Sequence, residues 1–148
     1  MAIDVGRHRA PSGTPELSVV LPALAENASA LRHAFDDWAR AAKLPDELVE
    51  TMSLAVYEAM ANAVEHAYRG RAAGTLRVHA LVAGAPEHVL ITVEDEGRWR
   101  TPDTDDGLRG RGIPLMEALA GSVDIASRAD GTTVTMAWPA DGGGEPGR

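Results

Sequence analysis

The sequence predicts an α+β sandwich: a mixed, mostly antiparallel sheet with helices on one face. Three observations carry that expectation. Two long segments in the first half repeat apolar residues at helical spacing. Shorter segments alternate apolar and polar residues with the period of a strand. Tight-turn residues join strands that are neighbours in sequence, which favours antiparallel pairing.

The 148 residues suit one domain with a sizeable core. Residues 1–15 are polar and rich in Pro and Gly and read as a flexible segment; 16–138 read as the folded domain. The tail from Pro139, "PADGGGEPGR", reads as disordered over 139–148. Glu16–Leu21 is the first strand. From Leu24 to Ala42, the residues Leu24, Ala28, Leu31, Phe35, Trp38 and Ala42 follow helical spacing. Pro45 ends that helix and opens a second, with Asp46 and Glu47 suited to its N-terminal dipole. The second helix runs to about Tyr68, with Leu48, Met52, Ala55, Ala59 and Ala63 as its core stripe.

Thr75–Val82 and Val89–Asp95 alternate as strands around the turn "AGAPEH". By parity, Asp95 shares a face with Val89, Ile91 and Val93, so its carboxylate points toward the core or a pocket floor. Glu96–Gly112 has no periodicity and holds Gly97, Gly107, Gly110 and Gly112. A loop this long inside a compact domain is functional or disordered. "IPLMEALAG" reads as a short helix. "SVDIASRA" and "TTVTMAW" read as a closing hairpin joined by Asp130-Gly131. Thr132 shares parity with the inward stripe of Val134, Met136 and Trp138; Thr133 takes its place if the register differs by one.

Composition narrows the function classes. Hydrophobic residues are 45% and charged residues 24%, the balance of a soluble globular chain. A net charge of -8 argues against a direct nucleic-acid surface and against an anionic membrane, and allows a protein partner with a basic surface. With no cysteine, thiolate metal sites and a Cys nucleophile are excluded. "MAIDVGRHRAPSGTPE" has no apolar core for export and no run is long enough to cross a bilayer, so a cytoplasmic location is the expectation.

Chemistry concentrates in "EAMANAVEHAY". Glu58, Asn62 and His66 lie four residues apart, which on an α-helix places them along one side beside the apolar stripe. The Gly-rich loop matches neither the phosphate loop GxxxxGK[ST] nor the dinucleotide pattern GxGxxG. However, "EAMANAVEHAY", "VEDEG", "GRGIPLM" and "GTTV" stand in the order of the N, G1, G2 and G3 boxes of the GHKL ATPase superfamily. Over residues 16–138 the chain resembles that superfamily's anti-sigma-factor serine kinases of the RsbW/SpoIIAB type, which have the Bergerat-type ATP-binding fold.

The resemblance implies ATP and Mg²⁺ as cofactors. Asp95 would accept the exocyclic amine of adenine, with Thr132 or Thr133 supporting that edge. Gly97 would let the purine approach the backbone. Asn62 would be the magnesium ligand, and Glu58 the base that takes a proton from a serine hydroxyl. His66 would orient phosphates or neighbouring side chains, roles the sequence does not separate. Gly110 and Gly112 would turn backbone N–H groups toward the phosphates, with charge added by Arg109 and Arg111. Two residues depart from the family pattern: Trp99 stands where the G1 box has a second Gly, and Pro114 opens the G2 helix.

Each assignment has a plainer alternative. Glu58, Asn62 and His66 could be a polar helix flank, Asp95 a turn residue and Thr132 an ordinary strand residue. The arginines could be solvated charges. By resemblance the chain would sequester a sigma factor and phosphorylate a small STAS-type anti-sigma antagonist, acting as a homodimer with Leu17, Val19 and the first helix as contact surfaces. The alternative is a non-catalytic nucleotide-binding module that sequesters a protein partner. A phosphotransfer histidine kinase would need a phosphoacceptor helix and dimerisation domain, for which the residues before Glu16 are too few.

Overall fold

The structure, a computed structural model, describes residues 4–9, 15–67, 74–96, 121–128 and 131–141. Six strands form one sheet: β1 (Asp4–Arg9), β2 (Pro15–Pro22), β3 (Thr75–Ala83), β4 (His88–Asp95), β5 (Ser122–Arg128) and β6 (Gly131–Pro139). Their order across the sheet is β1-β2-β3-β4-β6-β5, and every neighbouring pair is antiparallel. Two helices, α1 (Ala28–Ala41) and α2 (Asp46–Asn62), pack on one face.

Register explains where the core sits. Leu17, Ala80, Ile91 and Met136 stand side by side across β2, β3, β4 and β6. Val19, Val78, Val93 and Val134 form the next row. All eight are buried, because the period of two sends them to the face the helices cover. The helices answer with Leu31, Phe35, Trp38 and Ala39 from α1, and Leu48, Met52, Ala55, Val56, Ala59 and Met60 from α2. The Phe35 and Trp38 rings meet at 5.7 Å between centroids, tilted by 43°.

Local chemistry sets the helix ends. A 3-10 turn (Ala25–Asn27) leads into α1, and Asn27 Nδ2 donates to the Pro22 carbonyl over 2.8 Å, tying the turn to β2. After α1, Lys43 takes φ 59, and Leu44 N donates to the Ala39 carbonyl at 3.1 Å. This is the left-handed cap that ends many helices, here without the usual glycine. Pro45 is extended and precedes Asp46, and Val49 N donates to its carbonyl to begin α2.

Several expectations differ from this architecture. Asp4–Arg9 is a strand paired to β2, where a flexible 1–15 segment is expected; β2 offers a free edge to pair with. Leu17 and Val19 are completely buried beneath the helices, so they belong to the core and not to a dimer surface. Gly131 is the first residue of β6, paired with Arg128, where a turn at Asp130-Gly131 is expected. α2 gives way after Asn62 to a π-helical turn, Ala63–Ala67, instead of continuing as regular α-helix toward Tyr68. The tail expected from Pro139 starts later: Pro139 ends β6, paired with His88, and the residues after Asp141, like the short helix expected near Ile113, lie outside the described residues.

Candidate nucleotide site

The inner rows of the sheet are apolar until the last. There, Leu21 stands beside Leu76, Leu76 beside Asp95, and Asp95 beside Thr132. Two strands thus contribute leucines and two contribute polar side chains, all pointing toward the helix layer. Asp95 is 8% exposed and Thr132 2%. Thr133, by contrast, pairs with exposed Glu94 on the opposite face. The register therefore places Thr132 beside Asp95 at the sheet's inner corner.

Gly131 makes that corner possible. A Cβ on Gly131 would run into the Asp95 backbone carbonyl oxygen and would come within 3.3 Å of Glu96 Cα. No other residue type fits so close an approach without displacing β4. In the sequence Gly131 reads as half of the Asp130-Gly131 hairpin turn; its place in β6 against the Asp95 backbone depends on the register of β4 with β6.

α2 carries two further candidates. Glu58 and Asn62 are one helical turn apart on one side of the helix. Asn62 is 5% exposed, and Glu58 is half-buried. The chain leaving α2 enters β3 at Thr75, next to Leu76, the cross-strand partner of Asp95. The backbone of His66 lies in the π-turn Ala63–Ala67. Such widened turns inside helices occur frequently at functional sites. Gly97, Arg109, Gly110, Arg111 and Gly112, with Trp99 and Pro114, lie outside the described residues.

Two buried polar atoms stand out among these candidates. Asn62 Nδ2 and Thr132 Oγ1 have no hydrogen-bond partner among the described residues. An unsatisfied buried donor or hydroxyl costs about 1–3 kcal/mol, so sequences keep few without reason. Both would be satisfied by a ligand carrying hydrogen-bonding edges and oxygens, which is the chemistry of a nucleotide. Among the described residues no cluster of three His, Cys, Asp or Glu could hold a metal alone. A single amide oxygen suits Mg²⁺, whose remaining ligands are commonly phosphates and water.

One described cavity, of about 210 Å³, opens at this end of the sheet: Asp95 and Gly131 line it together with Thr75, Arg77, Glu94, Glu96 and Thr133. The larger, about 670 Å³, is a groove between α1 and α2 that neither Glu58 nor Asn62 lines.

An antiparallel sheet covered on one face by helices, with a buried carboxylate on its inner face and a buried amide near the end of a covering helix, is the architecture of a Bergerat-type ATPase domain. A family model for the histidine kinase-like ATPase domain matches residues 21–138, and the chain belongs to that family. Its similarities run to RsbW-type members. It is 32% identical over 105 residues to the serine-protein kinase RsbW of Bacillus pumilus, covering 61% of this chain and 64% of that protein. The RsbU and RsbW domains of a Mycobacterium tuberculosis protein superpose with a TM-score of 0.70 at 28% identity, over 85% of this chain and 32% of the other. It is also 31% identical over 101 residues to the blue-light-activated histidine kinase 2 of Erythrobacter litoralis, covering 65% of this chain and 29% of that kinase. The chain thus spans less than two thirds of each curated relative's length.

Proposed function

We propose that this chain is an ATP-dependent serine/threonine-protein kinase of the RsbW type, which sequesters a sigma factor and phosphorylates a STAS-type antagonist. The observation that carries the reading is the corner itself: Asp95 beside Thr132, with unsatisfied polar atoms on Thr132 and Asn62 in an otherwise apolar layer. Asp95 accepts the adenine amine, and Thr132 completes that edge. Asn62 holds Mg²⁺ through its amide oxygen. Bound Mg-ATP supplies the γ-phosphoryl group and neutralises part of its charge. Glu58 takes the proton of the acceptor hydroxyl as that oxygen bonds to the γ-phosphorus, the bond to the β-phosphate oxygen breaks, and ADP leaves. Positioning and charge do most of this work in phosphoryl transfer.

His66, Gly97, Gly110 and Gly112, with Arg109 and Arg111, are assigned to the phosphate end by the resemblance. A cytoplasmic location and a homodimer belong to the same reading. Similarity to RsbW in both sequence and structure supports serine as the acceptor class. The test is calorimetry with ATP and GTP, then phosphorylation of candidate STAS-type antagonists by the wild type and Glu58→Ala. An acid-stable phosphoprotein, lost in Glu58→Ala, is expected. An acid-labile product would indicate phosphohistidine, and binding without transfer to any antagonist would leave the non-catalytic module. No uptake of adenine nucleotide would remove the reading altogether.

A further inference from the structure

The nucleotide corner uses only one flank of α2. Asp46–Asn62 contains four carboxylates and no Lys, Arg or His. Asp46, Glu47 and Glu50 are exposed, and among the described residues Leu54 (44%) and Tyr57 (54%) are the exposed large hydrophobics. Glu47, Glu50, Leu54, Tyr57 and Ala61 follow one another at alternating three- and four-residue steps. That spacing is the seam along which one helix packs on another. The 670 Å³ groove runs beside it; Leu31, Phe35, Val49 and Val56 line it, and so do charged side chains of both signs, Arg32 and Arg40 with Asp36, Asp46 and Glu50. Single exposed apolar residues need no explanation. An apolar pair that follows Glu47 and Glu50 along one face, and that itself lines the groove, is a different matter.

We propose that the outward face of α2 and its groove with α1 dock a cationic amphipathic helix of a protein partner. Charge selects the occupant. The carboxylates of α2 favour Lys and Arg flanking the apolar anchors, and the chain's net charge of -8 attracts a basic partner from further away. A second copy of this chain is the poorer fit, because it would bring another net charge of -8 against the first. That the partner is a DNA-binding regulator, and basic for that reason, rests on the proposed function; the surface does not. Because Glu58 and Asn62 lie on the same helix, partner and nucleotide engage one rigid element from two sides.

The test uses fluorescent synthetic peptides of about five turns, long enough to form a helix on binding. One carries Leu on one face and Lys and Arg on the other; a second is its scramble; a third has Glu in place of the cations. Anisotropy titrations are run on the full chain at low and high salt, with ATP binding measured in parallel. The amphipathic cationic peptide is expected to bind at least about tenfold tighter than either control, and more weakly in high salt. Leu54→Ser, Tyr57→Ser and Glu50→Lys are each expected to weaken it several-fold while binding ATP as the wild type does, which also reports that they fold. Equal binding of the scramble, or wild-type affinity in all three variants, would overturn the proposal. So would a dimer, seen by light scattering, that Tyr57→Ser dissociates. Peptide binding without ATP binding would refute the nucleotide reading and leave the docking surface standing.

Discussion

Replacing Thr132 by valine separates a ligand-facing threonine from an ordinary strand residue, because the two roles give opposite signs. Thr132 is buried, its hydroxyl has no partner among the described residues, and Asp95 stands beside it on β4. Valine keeps the β-branched shape and strand preference and removes only the hydroxyl. In the free protein this relieves a desolvation penalty of about 1–2 kcal/mol. For a chain of this length, that raises the melting temperature by roughly 3–6 °C. With nucleotide bound, the same hydroxyl makes a hydrogen bond worth about 0.5–1.5 kcal/mol, so ATP affinity falls about two- to tenfold. Differential scanning fluorimetry and calorimetry on one preparation read both quantities. Higher stability with weaker ATP binding is the expected pair. A less stable variant, or one that binds ATP with wild-type affinity, would refute the assignment of Thr132 to the adenine edge.

Three further substitutions test neighbouring parts of the argument. Asp95→Asn is expected to weaken ATP binding about tenfold or more, since a charge-assisted hydrogen bond to the adenine amine is worth about 1.5–3 kcal/mol; unchanged calorimetry would remove Asp95 from the purine site. Gly131→Ala drives a methyl group against the Asp95 carbonyl and is expected to cost about 1–3 kcal/mol, read as a lower urea midpoint; an unaltered midpoint would mean the two strands separate more easily than the register implies. Lys43→Gly relieves a left-handed backbone at φ 59 and is expected to stabilise by about 1 kcal/mol; a loss of stability would show that the lysine side chain contributes more than the cap geometry costs.

Much of the candidate site was legible in the residues. Glu58 and Asn62 are four apart in a helical pattern, and Asp95 ends an alternating stripe, so both faces follow from local period alone. The π-turn after Asn62 was not legible, because the four-residue spacing assumes regular α-helix and nothing in the local residues marks where the helix widens. The α2 seam was hidden for another reason. Leu54 and Tyr57 read as unremarkable members of an apolar-rich helix until packing shows which apolar residues the core leaves outside.

The sequence by itself determined the two helices, the strand periods and the inward direction of Asp95, because each depends on backbone geometry within a few residues. Only the tertiary structure decided that β6 lies between β4 and β5, that Asp4–Arg9 extends the sheet, and that Thr132 meets Asp95 over Gly131. Strand order and register are set by which distant segments bury the most apolar surface together while pairing their backbone groups. That is a free energy of the whole sheet, and no short window of residues contains it.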